Sequence, residues 1–487
     1  MKKTFLIISI ILFWTSSNAQ SGFIFRYSSP DDKIPSAITE TPDHGFIIAS
    51  SFGTYASIHN TLLFRLNKHG DTLKTKKLIN PYGGCSISNL LKLPGGFFLG
   101  VGAQTFPSGQ NRLWLLILSD SLKIIKDTSF NFGLQIVSSN FGFLDHSNNL
   151  IVYGCGQTDS LKIASHPFIW LLSPNLDSLK YSYYNDSTHS QHVYSMIEKS
   201  DTTGYFMMLT GKYLINTSSY SQILTIDLSL NVTKIDSMPG KLALYLNSKV
   251  LNKDEILICG KRDYPSLSPR TDKIGILKID KSFLINESYF LGPDDTITYP
   301  SVFNNLDFTD PNKIYCAGTV NVNIGAVFST IPSSIIIGKF DTSLNLLWQR
   351  YFGGDQYYVV YTMVATSDGG CIIGSTSFDY TKQNQERDLQ FIKIDSNGLI
   401  NGQNDLPKIT KFKTVLYPNP GKDWVCINTA LTEAELILYD LTGREIYSQS
   451  LVIGRGPMNV QKFKHGLYIY KILQNYEVRE CGKWIKL

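Results

Sequence analysis

The chain has 487 residues, 43% hydrophobic and 12% aromatic, with 45 basic against 40 acidic side chains. A formal charge of +5 spread over that length leaves no electrostatic footprint for nucleic acid, and no run of about eighteen apolar residues supplies a membrane span. The length is ample for a large core, and the composition is that of a β-rich globular protein.

At the front, Lys2 and Lys3 precede an apolar run from Phe5 to Trp14, followed by Ser17-Asn18-Ala19. A charged segment, a short apolar segment and a small-residue cleavage site read as a secretory signal peptide over residues 1–19, cut between Ala19 and Gln20. Losing the two lysines lowers the charge from +5 to +3. No cysteine follows the cut, which argues against a lipoprotein anchor. The mature protein is expected to be soluble and exported.

Between residues 20 and 402 the sequence repeats, and the repeat decides the fold. A short apolar run begins at Phe46, Phe97, Leu150, Tyr205, Ile256, Ile314 and Cys371, with successive spacings of 51, 53, 55, 51, 58 and 57 residues. A turn usually precedes each run, such as Pro42-Asp43-His44-Gly45 or Ser367-Asp368-Gly369-Gly370. A second apolar strand follows in every unit, for example Leu62 to Leu66 and Ile335 to Phe340. Tight turns such as Asp341-Thr342-Ser343-Leu344 and Asp395-Ser396-Asn397-Gly398 close most of these strands. A further strand then runs outward, clearest at Leu346 to Phe352. Four strands in each of seven units predict an all-β, seven-bladed β-propeller rather than a solenoid, whose repeats are shorter and need capped ends. The seventh unit lacks an outer strand of its own. Phe23 to Tyr27, which resembles Leu347 to Tyr351, is expected to supply it and close the ring.

Trp348-Gln349-Arg350-Tyr351-Phe352-Gly353-Gly354-Asp355, followed by Ser367-Asp368-Gly369-Gly370, resembles repeat families of exported Bacteroidota proteins. That resemblance implies a propeller and no particular chemistry. Residues 403–414 read as a linker.

The tail, residues 415–487, begins with Tyr417-Pro418-Asn419-Pro420 and the strand Trp424 to Ile427. Leu436 to Glu445 and His465 to Lys471 follow, and the chain ends Lys483-Trp484-Ile485-Lys486-Leu487. Apolar residues alternate at Val425/Ile427, Leu436/Leu438 and Leu467/Ile469, the period-two signature of half-buried strands. Asp440-Leu441-Thr442-Gly443 is a turn in which Gly443 is free to take positive φ. These features suggest a small β-sandwich. In combination and order they resemble the type A-like C-terminal sorting domain of the Bacteroidota type IX secretion system, with Cys481-Gly482 the one departure. The resemblance implies passage through the periplasm, removal of the tail during export, and release or attachment at the outer-membrane surface. The secretion machinery is then a partner, and the working protein is about residues 20–414.

Function is less legible. Cys155, Cys259 and Cys316 end apolar strands beside glycines and read as small buried thiols, while Cys426 and Cys481 could pair within the tail, which spacing alone does not show. Asp186, His189 and His192 offer two imidazoles and a carboxylate, a partial zinc set. Asp31-Asp32, Asp294-Asp295 and Asp355 fall in equivalent blade-to-blade loops, where converging carboxylates would suit glycoside cleavage or calcium; aspartates in such turns are far commoner for reasons of turn geometry. Long loops between the middle strands carry Tyr55, Phe106, Tyr213, Arg262, Tyr264, Arg270, Phe378 and Tyr380, side chains suited to sugar or protein contacts but equally to padding of the loops. Asp71-Thr72-Leu73, Asp120-Ser121-Leu122, Asp159-Ser160-Leu161, Asp177-Ser178-Leu179 and Asp295-Thr296-Ile297 resemble the O-glycosylation acceptor of exported Bacteroidota proteins, and turn chemistry explains them nearly as well. No nucleophile elbow, phosphate loop or dinucleotide fingerprint occurs. No residue is singled out as catalytic, cofactor-binding or metal-binding. The expectation is a propeller that binds a glycan or protein without catalysis; the alternatives are a polysaccharide hydrolase or lyase, or a structural or adhesive surface protein.

Overall fold

The structure is a computed structural model that describes residues 22–54, 60–108, 110–130, 134, 136–157, 164–184, 189–213, 219–262, 272–323, 326, 328–382, 386–400, 414–429, 434–451, 454–474 and 477–487. The expected signal peptide and nearly all of the expected linker lie outside these residues. The chain divides after Gln403 into two compact units.

The first unit is a ring of seven sheets. Counting outward from the axis, blade 1 holds Asp32–Glu40, Phe46–Gly53, Asn60–Leu66 and Thr72–Leu78; blade 2 holds Cys85–Lys92, Phe98–Thr105, Asn111–Leu118 and Ile124–Phe130. Blade 3 holds Ile136–Leu144, Leu150–Gln157, His166–Leu172 and Ser178–Tyr183, and blade 4 His189–Glu198, Gly204–Tyr213, Ser219–Asp227 and Val232–Ser237. Blade 5 holds Leu244–Val250, Glu255–Arg262, Lys273–Asp280 and Ile285–Leu291. In blade 6 the first strand is broken into Thr298–Pro300 and Leu306–Asp307, followed by Ile314–Val320, Ser334–Phe340 and Leu346–Gly353. Blade 7 takes Tyr357–Ala365, Cys371–Phe378 and Asp388–Ile394 from the end of the repeat region and Phe23–Tyr27 from its beginning. Phe23–Tyr27 runs antiparallel to Asp388–Ile394, Phe23 opposite Lys393 and Tyr27 opposite Leu389, as the missing outer strand required.

Two-sided burial explains why the middle strands are continuous apolar runs instead of alternating ones. In blade 1, Ile47 and Ala49 face blade 2, whereas Phe46 and Ile48 face blade 7. Seven separate apolar seams result, one between each neighbouring pair of blades.

The turns that leave the third strands place a side chain in the preceding seam. Leu122, Leu176, Leu230, Phe283 and Leu344 all have positive φ, between 53° and 67°, and all are buried. Two turns carry glycine there instead, and an aromatic ring from the preceding blade takes the space. A Cβ on Gly70 would stand 2.5 Å from the Phe23 ring, and one on Gly398 would stand 2.9 Å from Trp348. The Asn397-Gly398 turn thus serves ring packing, since the strand after it comes from the other end of the chain.

Basic side chains next to the end of third strands reach the turn of the following blade. Arg65 Nε donates to Asp120 Oδ1 at 2.7 Å, Lys278 Nζ to the Thr342 carbonyl at 3.0 Å, and Lys339 Nζ to the Ser396 carbonyl at 2.8 Å. Across the 7–1 seam, Glu40 accepts from the Ser367 amide at 2.8 Å and hydroxyl at 2.6 Å.

The second unit is a two-sheet sandwich. Val415–Tyr417, Trp424–Thr429 and Gly454–Asn459 form one sheet; Glu445–Leu451, Ala434–Tyr439, Gly466–Gln474 and Glu477–Lys486 form the other in that order. Val425, Ile427, Leu436 and Leu438 are buried as expected. Gly466–Gln474 has the opposite phase: Tyr468, Tyr470 and Ile472 enter the core, while Leu467 and Ile469 are half-buried. The tyrosines satisfy their hydroxyls at its rim, Tyr468 on the Lys464 carbonyl (2.6 Å) and Tyr470 on the Thr414 carbonyl (3.2 Å), so aromatic bodies outweigh the aliphatic alternation.

The Tyr417-Pro418-Asn419-Pro420 segment clasps the last strand. Trp484 is fully buried and donates its indole N–H to the Pro418 carbonyl at 3.0 Å. Asn419 accepts from the Ile485 amide (3.0 Å) and donates to the Lys483 carbonyl (2.8 Å). The Cys481-Gly482 departure is accommodated within an unbroken strand; a Cβ at Gly482 would collide with the Tyr470 ring at 2.4 Å.

Candidate functional site: the central channel

The first strands of the blades are interrupted at one level, three to four residues into the facing second strands. Ser36, Ser88, Tyr194, Leu246 and Tyr361 are the extra residues of one-residue bulges in blades 1, 2, 4, 5 and 7, and blade 3 shifts register between Ser138 and Phe141. Bulges re-aim side chains and are common beside functional sites. Blade 6 departs further. Its pairing stops at Pro300 opposite Gly318 and resumes at Leu306 opposite Cys316, so residues 301–305 face Ala317 alone. The excess backbone turns to blade 7, with the Val302 and Phe303 amides donating to the Val360 and Tyr361 carbonyls at 3.3 and 2.7 Å.

These interruptions surround a cavity of about 310 Å³ to which every blade contributes. Aromatic rings enter it at Phe141, Phe143, Tyr153 and Phe303, and amides at Asn89, Asn247 and Asn304. Burial pushes the Tyr153 and Tyr194 phenols up, so both act as neutral hydroxyls. The charges are matched within the wall. Lys249 pairs with Asp307, donates to the Phe308 carbonyl at 2.6 Å and lies 4.5 Å above that ring. The other Asp307 oxygen accepts from the Ala365 amide at 2.9 Å. Asn304 donates to the Met363 carbonyl at 2.6 Å and accepts from Asn247 at 2.5 Å, stitching blades 5, 6 and 7. Asn89 Oδ1 is buried and accepts from no described residue. The channel is therefore neutral, aromatic and rich in hydrogen-bonding groups.

Those residues singled out in the sequence that the structure describes lie elsewhere. His189 and His192 are three apart on one strand ahead of its bulge, so they project from opposite faces and do not share an ion; His189 packs edge-on to Tyr220, and Asp186 lies outside the described residues. No group of three or more metal-ligating side chains occurs among the described residues.

The aspartates do not converge either. Asp32 is 1% exposed and receives Arg387 on both oxygens, Nε to Oδ1 at 2.8 Å and Nη2 to Oδ2 at 2.5 Å. Arg387 also donates to the Tyr361 hydroxyl at 3.0 Å. Asp31 lies 3.8 Å from Lys77, Asp294 pairs with Lys273, and Asp355 accepts from Tyr358 at 2.7 Å. Beside Asp32, the ammonium of Lys33 is buried and donates to the Ser29 and Asp31 carbonyls at 2.7 and 2.5 Å. Burial lowers its pKa against the opposing pull of Asp388. This cluster fastens the N-terminal segment to blade 7.

Of the loop aromatics and arginines, Tyr55, Tyr264 and Arg270 lie outside the described residues, and Tyr213 is described in its backbone only. Phe106 stacks under Arg112 (4.1 Å), Arg262 on Phe290 (4.0 Å) and Phe378 against Phe328 (4.9 Å); Tyr380 donates to the Asp355 carbonyl at 3.3 Å. Among the Asp-Ser/Thr tripeptides, Thr72 and Ser121 are exposed and Ser178 accepts from the Trp170 indole at 2.8 Å, while Thr296 donates to Asp295 at 3.0 Å; residues 159–161 lie outside the description. Cys155, Cys259 and Cys316 are fully buried, as read. Cys426 and Cys481 stand on strands of different sheets, and Cys481 is an exposed free thiol.

Residues 415–486 match the secretion system C-terminal sorting domain family. No curated protein matches the chain in sequence. Among solved structures, the chain is similar to PorZ, a surface component of the type IX secretion system of Porphyromonas gingivalis, at 12% identity over 93% of this chain and 51% of that one, TM-score 0.29. It is also similar to the β-propeller domain of the Trilobed protease of Pyrococcus furiosus (12% identity, 79% and 99% coverage, TM-score 0.44) and to a family PL25 ulvan lyase (8%, 76% and 96%, 0.48). Likenesses this distant assign no activity. No helix among the described residues is long and apolar enough to cross a membrane. The chain is a seven-bladed β-propeller with a type IX secretion C-terminal sorting domain as its tail, which marks it as cargo for export to the cell surface or beyond.

Proposed function

We propose that the protein is a non-catalytic binding module of the bacterial surface, made with a signal peptide over residues 1–19 and delivered across the outer membrane through its tail, in a Bacteroidota host. The working unit is the propeller, residues 20–402, followed by a linker over 403–414. Its ligand is a neutral glycan whose end enters the central channel. The observation that carries this reading is the channel wall: aromatic faces for sugar C–H surfaces, amides and hydroxyls for sugar hydroxyls, and no unneutralised charge. Binding is favoured over cleavage because glycosidases place two carboxylates about 5–9.5 Å apart, whereas the channel's one described carboxylate, Asp307, is held by Lys249 and the Ala365 amide.

The test is a screen of the mature exported protein against neutral oligosaccharides, with product analysis in the same incubations. Binding without product, weakened about tenfold or more by Asn89→Ala or Phe143→Ala, is expected. Product release would establish an enzyme, and silence in both assays would leave a structural surface component. Export is tested separately: a chain lacking residues 415–487 should remain in the periplasm, and surface delivery without them would refute the sorting role.

A further inference from the structure

Cys259 and Cys316 face each other across the seam between blades 5 and 6, their sulfurs 3.4 Å apart. Cys259 lies on the second strand of blade 5 and Cys316 on the second strand of blade 6. Both are fully buried in an apolar seam that includes Leu257, Ile274, Ile314 and Leu306. The other described buried thiols have different neighbours. Cys155 accepts from the Val193 amide at 3.1 Å, Cys85 donates to the Leu78 carbonyl at 3.3 Å, and Cys371 packs in the seam between blades 6 and 7.

The position of the pair in the ring matters. Cys316 is the register partner of Leu306, the residue at which the broken inner strand of blade 6 resumes. Blade 6 has therefore lost part of its inner ladder beside this sulfur contact. A covalent link here would tie the most interrupted blade to its neighbour and close a loop between residues 57 apart in sequence.

We propose that Cys259 and Cys316 form an inter-blade disulfide when the chain folds in the presence of a disulfide oxidant. One thiolate attacks a sulfur of the oxidant and expels one of its thiolates. The second cysteine then attacks the protein sulfur of the mixed disulfide and expels the other. The Cys259–Cys316 bond forms, each cysteine gives up its proton, and the oxidant leaves as two thiols. Full burial restricts both directions of exchange to molecules in which blades 5 and 6 have parted. The bond therefore forms during folding and resists reduction afterwards. Export supplies the oxidising side of the membrane, while the pairing itself stands on the seam and is tested without export.

The experiment refolds the full chain with oxidised and reduced glutathione, or with dithiothreitol alone. Each product is denatured in iodoacetamide without reductant and mapped by peptide mass. The expected result after glutathione is a linked pair of peptides about 2 Da lighter than their sum, containing Cys259 and Cys316, with Cys85, Cys155 and Cys371 alkylated. Folded oxidised protein should keep the link in dithiothreitol until denaturant is added, and its unfolding midpoint should exceed that of the reduced form. Should the chain not refold, the same alkylation on protein secreted natively gives the answer. Complete alkylation of Cys259 and Cys316 in oxidised material, or a link from either to another cysteine, would overturn the proposal.

Discussion

Leu230 is the sharpest place to test how the ring is held. It has φ 59°, yet it is 1% exposed and packs with Ile151 and Ile169 of blade 3. Its carbonyl accepts the Tyr184 hydroxyl at 2.9 Å, from the outer edge of that blade. A left-handed backbone costs a non-glycine residue about 1–2 kcal/mol. Removing a buried leucine costs about 2–5 kcal/mol once the cavity is included, so burial outweighs strain. Leu230→Ala loses the packing and keeps the strain, a loss of about 2–5 kcal/mol. Leu230→Gly loses the same packing but is released from the strain, and should stand about 1 kcal/mol above the alanine variant. Leu116, equally buried but within a strand, should show the reverse order, alanine above glycine by about 0.5–1 kcal/mol. Thermal or urea midpoints of the propeller transition measure all four variants. If alanine matches or exceeds glycine at position 230, the wedge does not act through strain offset by burial.

Two further outcomes concern ion pairs whose arginine is buried. Asp32→Asn leaves the Arg387 guanidinium buried without its carboxylate and should cost about 3–5 kcal/mol, with faster amide exchange in Phe23–Tyr27; an unchanged midpoint would show that this pair does not fasten the N-terminal strand. Burial raises the Asp43 carboxyl, but hydrogen bonds from Thr41, Arg65 and the Gly45 amide outweigh it and hold the group at about 2 against 3.8 when unperturbed. Because the folded value lies below the unfolded one, the unfolded chain takes up the proton first as acid is added. The contribution of Asp43 to stability is complete above about pH 4 and is lost as the pH falls toward 2. Asp43→Asn should flatten the midpoint profile across that window, and a profile identical to wild type would contradict the assignment.

Much of this architecture is legible along the chain because a propeller repeats a local unit. Starts such as Phe46, Leu150, Ile314 and Cys371 are strand starts in the structure, since a strand buried between two seams must be continuously apolar and must end in a turn. The closing role of Phe23–Tyr27 is legible for a related reason: one blade lacks a strand and one strand lacks a blade. The site is not legible. Asn89, Phe143 and Phe303 lie far apart in sequence and on different blades, and no local pattern states that they share one cavity. The bulges that turn residues into the channel leave only a one-residue slip in strands whose alternation is already weak. The series Arg65, Lys278 and Lys339 did carry a signal, a basic residue recurring at one repeat position, but its partners lie on the following blade, the Asp120 carboxylate for Arg65 and the Thr342 and Ser396 carbonyls for the two lysines, which no local pattern displays.

Several sequence readings fail for tertiary reasons. His189 and His192 are close in sequence, yet a strand sends them to opposite sides. Asp32 reads as a loop carboxylate and becomes a buried ion-pair partner, because Arg387, 355 residues away, arrives beside it when the ring closes. In the tail, the alternation of Leu467 and Ile469 points to the wrong face, since the tyrosines between them bury more surface and still satisfy their hydroxyls.

The sequence by itself therefore determined the class of fold, the number of blades, the strand that closes the ring and the sorting tail, all of which depend on local periodicity or contiguous motifs. Only the tertiary structure decided what lines the axis, which charges neutralise one another and which sulfurs meet, because each depends on residues from separate blades being brought within a few ångströms.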